Sequence, residues 1–558
     1  MNLTWERWRL AGVFLMAPQQ PAGETPAPPG SAAGKPALQF WGASREILFG
    51  KILSLVAALC SLAARGAVTE LQSPERQADA YFSANVLGIA DVTGDGIGEL
   101  AATSFGYNSD GAVFIFNGSD FSLVQQIKSP NPAAGGDTSQ FGSNVQQGPD
   151  LNGDGIPDLM VGAPFADRPD LQSAGYGQVF VIDPKSGTSL LTLSPPRTQR
   201  GTRFGYGLAH LPDPITGKAG RIAVGAIGTT SGSPGQVHVF DVASGELILS
   251  FNAPEPRAGD FFGVGLASLD DVDGDGRADV AVGSGNSNGE SGSPGAAYLM
   301  SAQTGQLLHR LIPPDLPVTT PHRWSVAAVA DVNGDGKTDV LVGVPLASPP
   351  GAVQLAGRAY LFSGADGRLL RTLISPEPQV RGFFGWNVAS LPDITGDGTA
   401  ELLISGSGRP AIGSLGERRV HLINGATGQP IQTFQSPTSG EAFGGSVTGI
   451  LDQRGRLRTI VSGTGVAAAP SAPIRSGRAY VFPLSLSFLS ASVSDEGMRI
   501  LLTTTDDKGY EVQASTDLQT WTPVTKLKDG MPTSAFLDKD TKGAKHRFYR
   551  TKQVALSP

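Results

Sequence analysis

Cysteine is nearly absent: one residue, Cys60, stands in 558. An internal disulfide framework is therefore excluded. Histidine is scarce as well. The six histidines, His210, His238, His309, His322, His421 and His546, are scattered with no metal-ligand spacing. No G-x-S-x-G elbow appears with triad partners. Charged residues reach only 16%, and the formal net charge is −8, so the chain lacks the basic footprint of a nucleic-acid binder. Sustained helical periodicity is missing too. What is plentiful is turn chemistry: 74 Gly and 41 Pro, about a fifth of the chain against roughly 12% in average usage. Combined with 40% apolar residues, this predicts many short strands joined by tight turns rather than disorder.

The apolar stretch around Cys60 has the grammar of a signal peptide. Residues 45–67 open on Arg45 and Lys51, continue as the apolar core Ile52–Leu62, and end in small residues. Ser61/Ala63 or Ala64/Gly66 suit the cleavage positions, and the core is too short for a comfortable membrane span. Leu59 is too large for the position before a lipoprotein cysteine. Export follows as the expectation, to the medium or the cell surface, with no membrane span in the mature chain. Residues 1–44, rich in Pro, Ala and Gly, are expected to be an unstructured lead or the product of a start site placed too far upstream. Cleavage near residue 63 removes five basic and three acidic residues and leaves a net charge of about −10. It also removes the only thiol, so another staple is needed and a cysteine nucleophile is excluded.

An aromatic residue followed by Gly or Ser recurs at Phe82, Phe141, Phe204, Phe262, Trp324, Phe384 and Phe443, at intervals of 59, 63, 58, 62, 60 and 59. Each copy keeps one internal order. The second reads Phe141–Asp150 as a first strand, then an oxygen-rich loop, then Leu159–Pro164, Gly177–Asp183 and a fourth strand before the phrase "SPP". Four strands in each of seven repeats predict an all-β, seven-bladed β-propeller over residues 68–486. The repeat-ending phrase also precedes the first repeat, as "TELQSPE", and is missing after the last. Residues 68–73 are therefore expected to supply the outer strand of the last blade.

Five repeats carry the loop D-x-[DNT]-G-D-G-x-x-[DE]. Positions 1, 3, 5 and 9 offer side-chain oxygens: Asp91, Thr93, Asp95 and Glu99; Asp150, Asn152, Asp154 and Asp158; Asp271, Asp273, Asp275 and Asp279; Asp331, Asn333, Asp335 and Asp339; Asp393, Thr395, Asp397 and Glu401. At position 7 the backbone carbonyls of Ile97, Ile156, Arg277, Lys337 and Thr399 can turn inward. Glycine at position 6 permits the bend, and an oxygen-only donor set suits Ca²⁺ better than Mg²⁺, which demands a strict octahedron. An EF-hand is excluded because its twelfth-position Glu is replaced by Ala102, Val161, Val282, Val342 and Ile404. About five calcium sites are expected. The third and seventh repeats read "DPITGKAGR" from Asp213 and "DQRGRLRTI" from Asp452 and should be metal-free.

The F-G opening, the acidic loop and the following G-A-P (Val161–Pro164 reads "VGAP") resemble the FG-GAP repeats of the integrin α-chain propeller. The resemblance runs from Thr69 to about Leu486 and implies the propeller fold and calcium; it names no ligand. From about Ser487 the pattern changes. "YEVQASTDLQTW" and "RFYR" resemble a fibronectin III-like C-terminal domain of secreted bacterial proteins, which implies a small β-sandwich over 487–558.

Long loops between the second and third strands (164–176, 283–295, 344–357) are expected on the face opposite the acidic loops. Arg200, Arg203, Arg257, Arg323 and Arg381 lie in blade connections on that face, where an anionic ligand such as an acidic polysaccharide would meet them. No set of residues converges on catalysis. The reading is a monomeric binding or adhesion scaffold, not an enzyme, for an extracellular protein or polysaccharide. The alternative is an extracellular hydrolase or lyase acting on polysaccharide at the loop face.

Overall fold

The computed structural model describes residues 13–15 and 68–554, apart from short stretches that include 133–138, 168–174, 197–201, 214–219, 286–294, 317–323, 407–417 and 464–476. The segment 45–67 and the lead, except for 13–15, lie outside the described residues. Two compact units emerge, Val68–Phe482 and residues 1–67 with 483–558. Among the described residues the one helical element is a 3₁₀ turn, Tyr107–Ser109, and no helix is long and apolar enough to cross a membrane.

Unit Val68–Phe482 consists of seven four-stranded antiparallel sheets, the blades expected from the repeat. Blade one runs Val86–Gly88, Leu100–Ser104, Ala112–Phe116 and Leu123–Lys128. Its second and third strands are buried at every position, while in the fourth only Ile127 is buried and the rest is exposed or half-buried. That difference explains the sequence pattern. A strand covered on both faces reads as a continuous apolar run, and only an outer strand reads with a polar side. The last blade is completed from the other end of the unit. Thr69–Leu71 pairs antiparallel with Ala479–Pro483, Thr69 opposite Val481 and Leu71 opposite Ala479. The expected latch is therefore present.

The core lies between the blades rather than within them. One apolar cluster joins Val461 and Val481 of blade seven to Leu100 and Phe114 of blade one, and another joins Val113 of blade one to Val161 and Phe180 of blade two. The repeated aromatic anchors each junction. Phe82, Phe141, Phe204 and Phe262 are fully buried and meet Phe114, Phe180, Phe240 and Tyr298 edge to face, with centroids 5.8 Å apart. Its glycine is required by close approach. Gly205 has φ +95°, and its carbonyl oxygen would lie 2.0 Å from any Cβ placed on Gly162, the glycine of "VGAP" in the preceding blade. The FG of blade three thus fits the GAP of blade two.

Inner strands add side-chain hydrogen bonds across the junctions. Asn85 donates to the Ser143 carbonyl, Asn144 to that of Tyr206, and Ser325 to that of Gly385. The ring closes in the same way: Val86 and Gly88 N–H groups donate to Ser446 Oγ and Thr448 Oγ1. The residue ahead of the aromatic takes a left-handed conformation at Tyr81, Gln140, Arg203, Phe261 and Phe383, with φ between 47° and 54°. These five residues make the same sharp entry into the inner strand, at a cost of about 1 kcal/mol or more each.

His238 and His421 occupy matching places in blades three and six. Each is buried, bonds an outer-strand hydroxyl (Ser250 Oγ at 2.7 Å, Thr433 Oγ1 at 3.0 Å) and touches the junction ring, Phe204 or Phe384. Burial pushes both imidazoles down to about 4.

In the second unit, Gly509–Ser515 lies between Thr522–Leu527 and Phe548–Val554, and Val13–Leu15 pairs with the latter. Ser487–Ser494, Gly497–Thr503 and Thr533–Asp538 form a separate antiparallel sheet.

Deleting residues 68–74 would leave Ala479–Pro483 as an unpaired edge; the melting temperature should then fall sharply, and an unchanged melt would remove the latch from the account. The two histidines should make the fold acid-sensitive. Their folded values lie below the unfolded value of about 6.5, so the unfolded chain takes up protons first as pH falls from about 6.5 to 4, and stability drains across that window by on the order of 3 kcal/mol each. Stability of the His238→Gln, His421→Gln double variant should vary less with pH there; a slope equal to wild type would contradict the assignment.

Candidate cation loops

Each acidic loop links the inner strand of a blade to its second strand, and the same hydrogen bonds shape all five. The first carboxylate (Asp91, Asp150, Asp271, Asp331, Asp393) accepts from the N–H groups of the glycines at positions 4 and 6, at 2.6–2.8 Å. The fifth (Asp95, Asp154, Asp275, Asp335, Asp397) accepts from the N–H of position 7 at 2.8–3.0 Å. The ninth (Glu99, Asp158, Asp279, Asp339, Glu401) accepts from the N–H of position 2 at 2.6–2.9 Å. The chain is thereby wound with its carboxylates facing inward. Carboxylate oxygens of Asp91, Asp95 and Glu99, of Asp271, Asp273 and Asp275, and of Asp393, Asp397 and Glu401 come within 4.8 Å of one another. The position-12 residues are buried in the strand that follows, as the exclusion of an EF-hand required.

Electrostatics separate the first position from the ninth. Partial burial would raise Asp91, Asp271 and Asp331, but the glycine N–H donors outweigh it and hold them below the usual carboxylate range. The ninth carboxylates are fully buried. Burial pushes Asp158, Asp279 and Asp339 up to about 6 and Glu401 to about 7, with neighbouring loop carboxylates adding to the rise; Glu99 moves the same way. Oδ1 of Asp158 and Oε1 of Glu401 are buried without a hydrogen-bond partner. Such a group is costly unless a cation faces it. An oxygen-only donor set of this kind fits a hard divalent cation.

The third and ninth positions are matched in length. Loops with Thr at position 3 have Glu at position 9, and loops with Asn or Asp there have Asp. In the first loop Thr93 Oγ1 donates to Glu99 Oε1 at 2.7 Å. The turn between the third and fourth strands shares this rim and contributes residues that the loop pattern alone does not flag. Asn117 and Ser119 donate to Asp95, Asn424 to Asp397, and Ser363 to Asp335. A signal for them exists: Asn117, Asp183, Asp241, Ser301, Ser363 and Asn424 stand at one repeat position, at the end of the third strand or just past it.

Blades three and seven lack the loop pattern. Asp213 at the first position pairs with Arg277 of blade four, and Asp452 lies 4.0 Å from Arg458. Most of the third-blade loop, 214–219, lies outside the described residues. So do Arg200, Arg323 and much of the long loops on the opposite face. Of the other arginines expected there, Arg203 lies over the Phe165 ring at 5.7 Å and Arg257 lies 3.7 Å from Glu255, while Arg381 has φ +58°.

Residues 271–342 match the FG-GAP-like repeat family, and residues 141–182 and 323–362 match the FG-GAP repeat. Integrin alpha-IIb of Mus musculus is 35% identical over 136 residues, which cover 22% of this chain and 13% of that protein. Integrin alpha-5 of Xenopus laevis is 29% identical over 229 residues (38% and 21%), and integrin alpha-11 of Homo sapiens 27% over 238 residues (40% and 19%). The chain thus spans about a fifth or less of the length of these curated relatives. Seven four-stranded blades, the FG-GAP repeat matches and the integrin alpha relatives together make this chain an integrin-α-like FG-GAP β-propeller.

Proposed function

We propose that the protein is a secreted or surface-held, calcium-stabilised propeller that serves as a non-catalytic binding scaffold for an extracellular protein or polysaccharide. The buried ninth carboxylate carries the calcium part. Asp158 and Glu401 each bury an oxygen that no protein group satisfies, beside other carboxylates of the same loop. In this reading the side chains at positions 1, 3, 5 and 9 and the carbonyl at position 7 hold the ion in each of five loops. Five Ca²⁺ ions would bring ten positive charges to a mature chain of net charge about −10. Ions that bind only the folded ring stabilise it by mass action, several kcal/mol when the sites are well filled. That contribution would replace the missing disulfides.

The scaffold part rests on the integrin-α-like propeller and on its division into two rims. Acidic loops and third-to-fourth turns occupy one rim. The strand connections on the other are longer and more varied, and loops of that kind on a rigid frame are where binding concentrates. His238 and His421 support a non-catalytic reading, because both are consumed in blade packing.

Chelation should lower the melting temperature by on the order of 10 °C; an unchanged melt would discard calcium as the staple. Asp158→Asn and Glu401→Gln should act in opposite directions in the two states. In the chelated protein a carboxylate whose folded value is raised to about 6 or 7 costs stability as pH rises through that range, so the neutral variants should melt higher than wild type at pH 7.5. With calcium present they should melt lower. Purified protein screened against polysaccharides and extracellular proteins should bind without releasing product; released product would favour the hydrolase or lyase reading.

A further inference from the structure

Blade three has no acidic loop, yet its corner is where the loop of blade four reaches across. Asp213 stands at the first position, and Arg221 stands where five blades bury their ninth carboxylate. Arg277, the seventh residue of the blade-four loop, places Nη1 2.6 Å from Asp213 Oδ2, and the Asp213 side chain is only 9% exposed. Arg221 is partly buried among the charges of Arg277, Asp275, Asp213 and Asp241. Two guanidiniums therefore sit at a corner whose counterparts gather carboxylates.

The same direction of reach recurs at two other junctions. Lys337, seventh in the blade-five loop, donates from Nζ to the carbonyl of Asp271, first in the blade-four loop. Ile97, seventh in blade one, pairs through its backbone with Asp452, first in the degenerate loop of blade seven. In each case the seventh residue of one loop touches the first residue of the loop before it. At blade three that contact has become an ion pair. The backbone of Arg277 is meanwhile held by its own loop, since its N–H donates to Asp275 Oδ1 at 2.8 Å. Asp275 in turn belongs to the cluster of loop oxygens within 4.8 Å.

We propose that Arg277 is the resident cation of blade three and links the rigidity of that blade to the state of the blade-four loop. Its guanidinium neutralises Asp213 as a bound cation would neutralise the carboxylates of an intact loop, and its planar fork suits a carboxylate partner. Because the side chain springs from the blade-four loop, blade three senses calcium second-hand. The linkage rests on the reading that the blade-four loop binds calcium; the resident-cation role does not.

The test combines melting with hydrogen exchange, each in excess calcium and in chelator, on wild type, Arg277→Gln, Arg277→Lys and Asp213→Asn. In chelator, Arg277→Gln and Asp213→Asn should melt roughly 3 °C or more below wild type, with Arg277→Lys between. The double variant Asp213→Asn, Arg277→Gln should melt no lower than the worse single one. In wild type, calcium should slow exchange in the blade-three strands Phe204–Leu211 and Arg221–Ala226. In Arg277→Gln that slowing should vanish from blade three and persist in blades one and six. Wild-type melting by both single variants in chelator would overturn the resident cation. Equal calcium protection of blade three in wild type and Arg277→Gln would overturn the linkage. If calcium changes nothing anywhere in wild type, the calcium reading and the linkage fail together, and the chelated melts still decide the resident cation.

Discussion

A four-stranded blade with two apolar faces cannot bury either of them alone, and this constraint organises the molecule. Each face needs a neighbour, each neighbour needs another, and the series ends only by closing into a ring. The apolar clusters accordingly span pairs of blades, such as Val461 with Leu100 or Val113 with Val161. Closure also explains why the motif residues are small or aromatic where they are. A ring of Phe or Trp fills each wedge, and paired glycines let adjoining backbones meet where a Cβ at Gly162 would strike the Gly205 carbonyl. The strand Thr69–Leu71, taken from the start of the unit, satisfies the last blade by the same logic.

What could be read in the sequence was whatever repeats in register. The aromatic period, the acidic loops and the displaced "TELQSPE" phrase gave seven blades, their strand order and the latch, because each is a local pattern copied many times. The residues that remained hidden act across the ring with partners about one repeat away. Asn85 bonds Ser143, Asn144 bonds Tyr206, and Arg277 pairs with Asp213. The asparagines do share a place, three residues past the aromatic at Asn85, Asn144 and Asn387, but the other four repeats carry Gly, Ala or Ser there, and the Arg277–Asp213 pair has no copy of its kind among the described residues of the other repeats. His238 and His421 were legible only as scattered histidines. Their equivalence appears once each is seen beside its junction aromatic and an outer-strand hydroxyl. The left-handed entry at Tyr81, Gln140 and Arg203 left no trace in composition, because the geometry is imposed by the inner strand and not by the residue.

The two rims answer different demands. On the acidic rim, the loop, the neighbouring turn and the next blade constrain one another closely, as when Gln453 of blade seven donates to Asp91 of blade one. Any change there disturbs two blades. On the opposite rim the strand ends are also tied to the next blade, as where the Gly235 N–H donates to Asp260 Oδ1, but the loops beyond those ends differ in length and composition. The proposed division between staple and binding face follows from this asymmetry. A binding surface needs freedom to vary, and the long second-to-third loops offer it beyond the strand ends that hold the ring.

The acidic loops themselves show what is being held constant. Thr at position 3 accompanies Glu at position 9, and in these two blades an Asn from the next turn, Asn117 or Asn424, bonds the threonine hydroxyl and the fifth carboxylate. Asn or Asp at position 3 accompanies the shorter Asp at position 9, in blades whose turns carry Asp183, Ser301 or Ser363. A longer arm on one side is offset by a shorter one on the other, so the space enclosed is preserved while the identities change. Polar turns made only to face water would have no reason to conserve reach across the loop. Compensation of this kind is expected when oxygens must converge on a common centre, and the unpartnered oxygens of Asp158 and Glu401, one from each loop variant, are buried there.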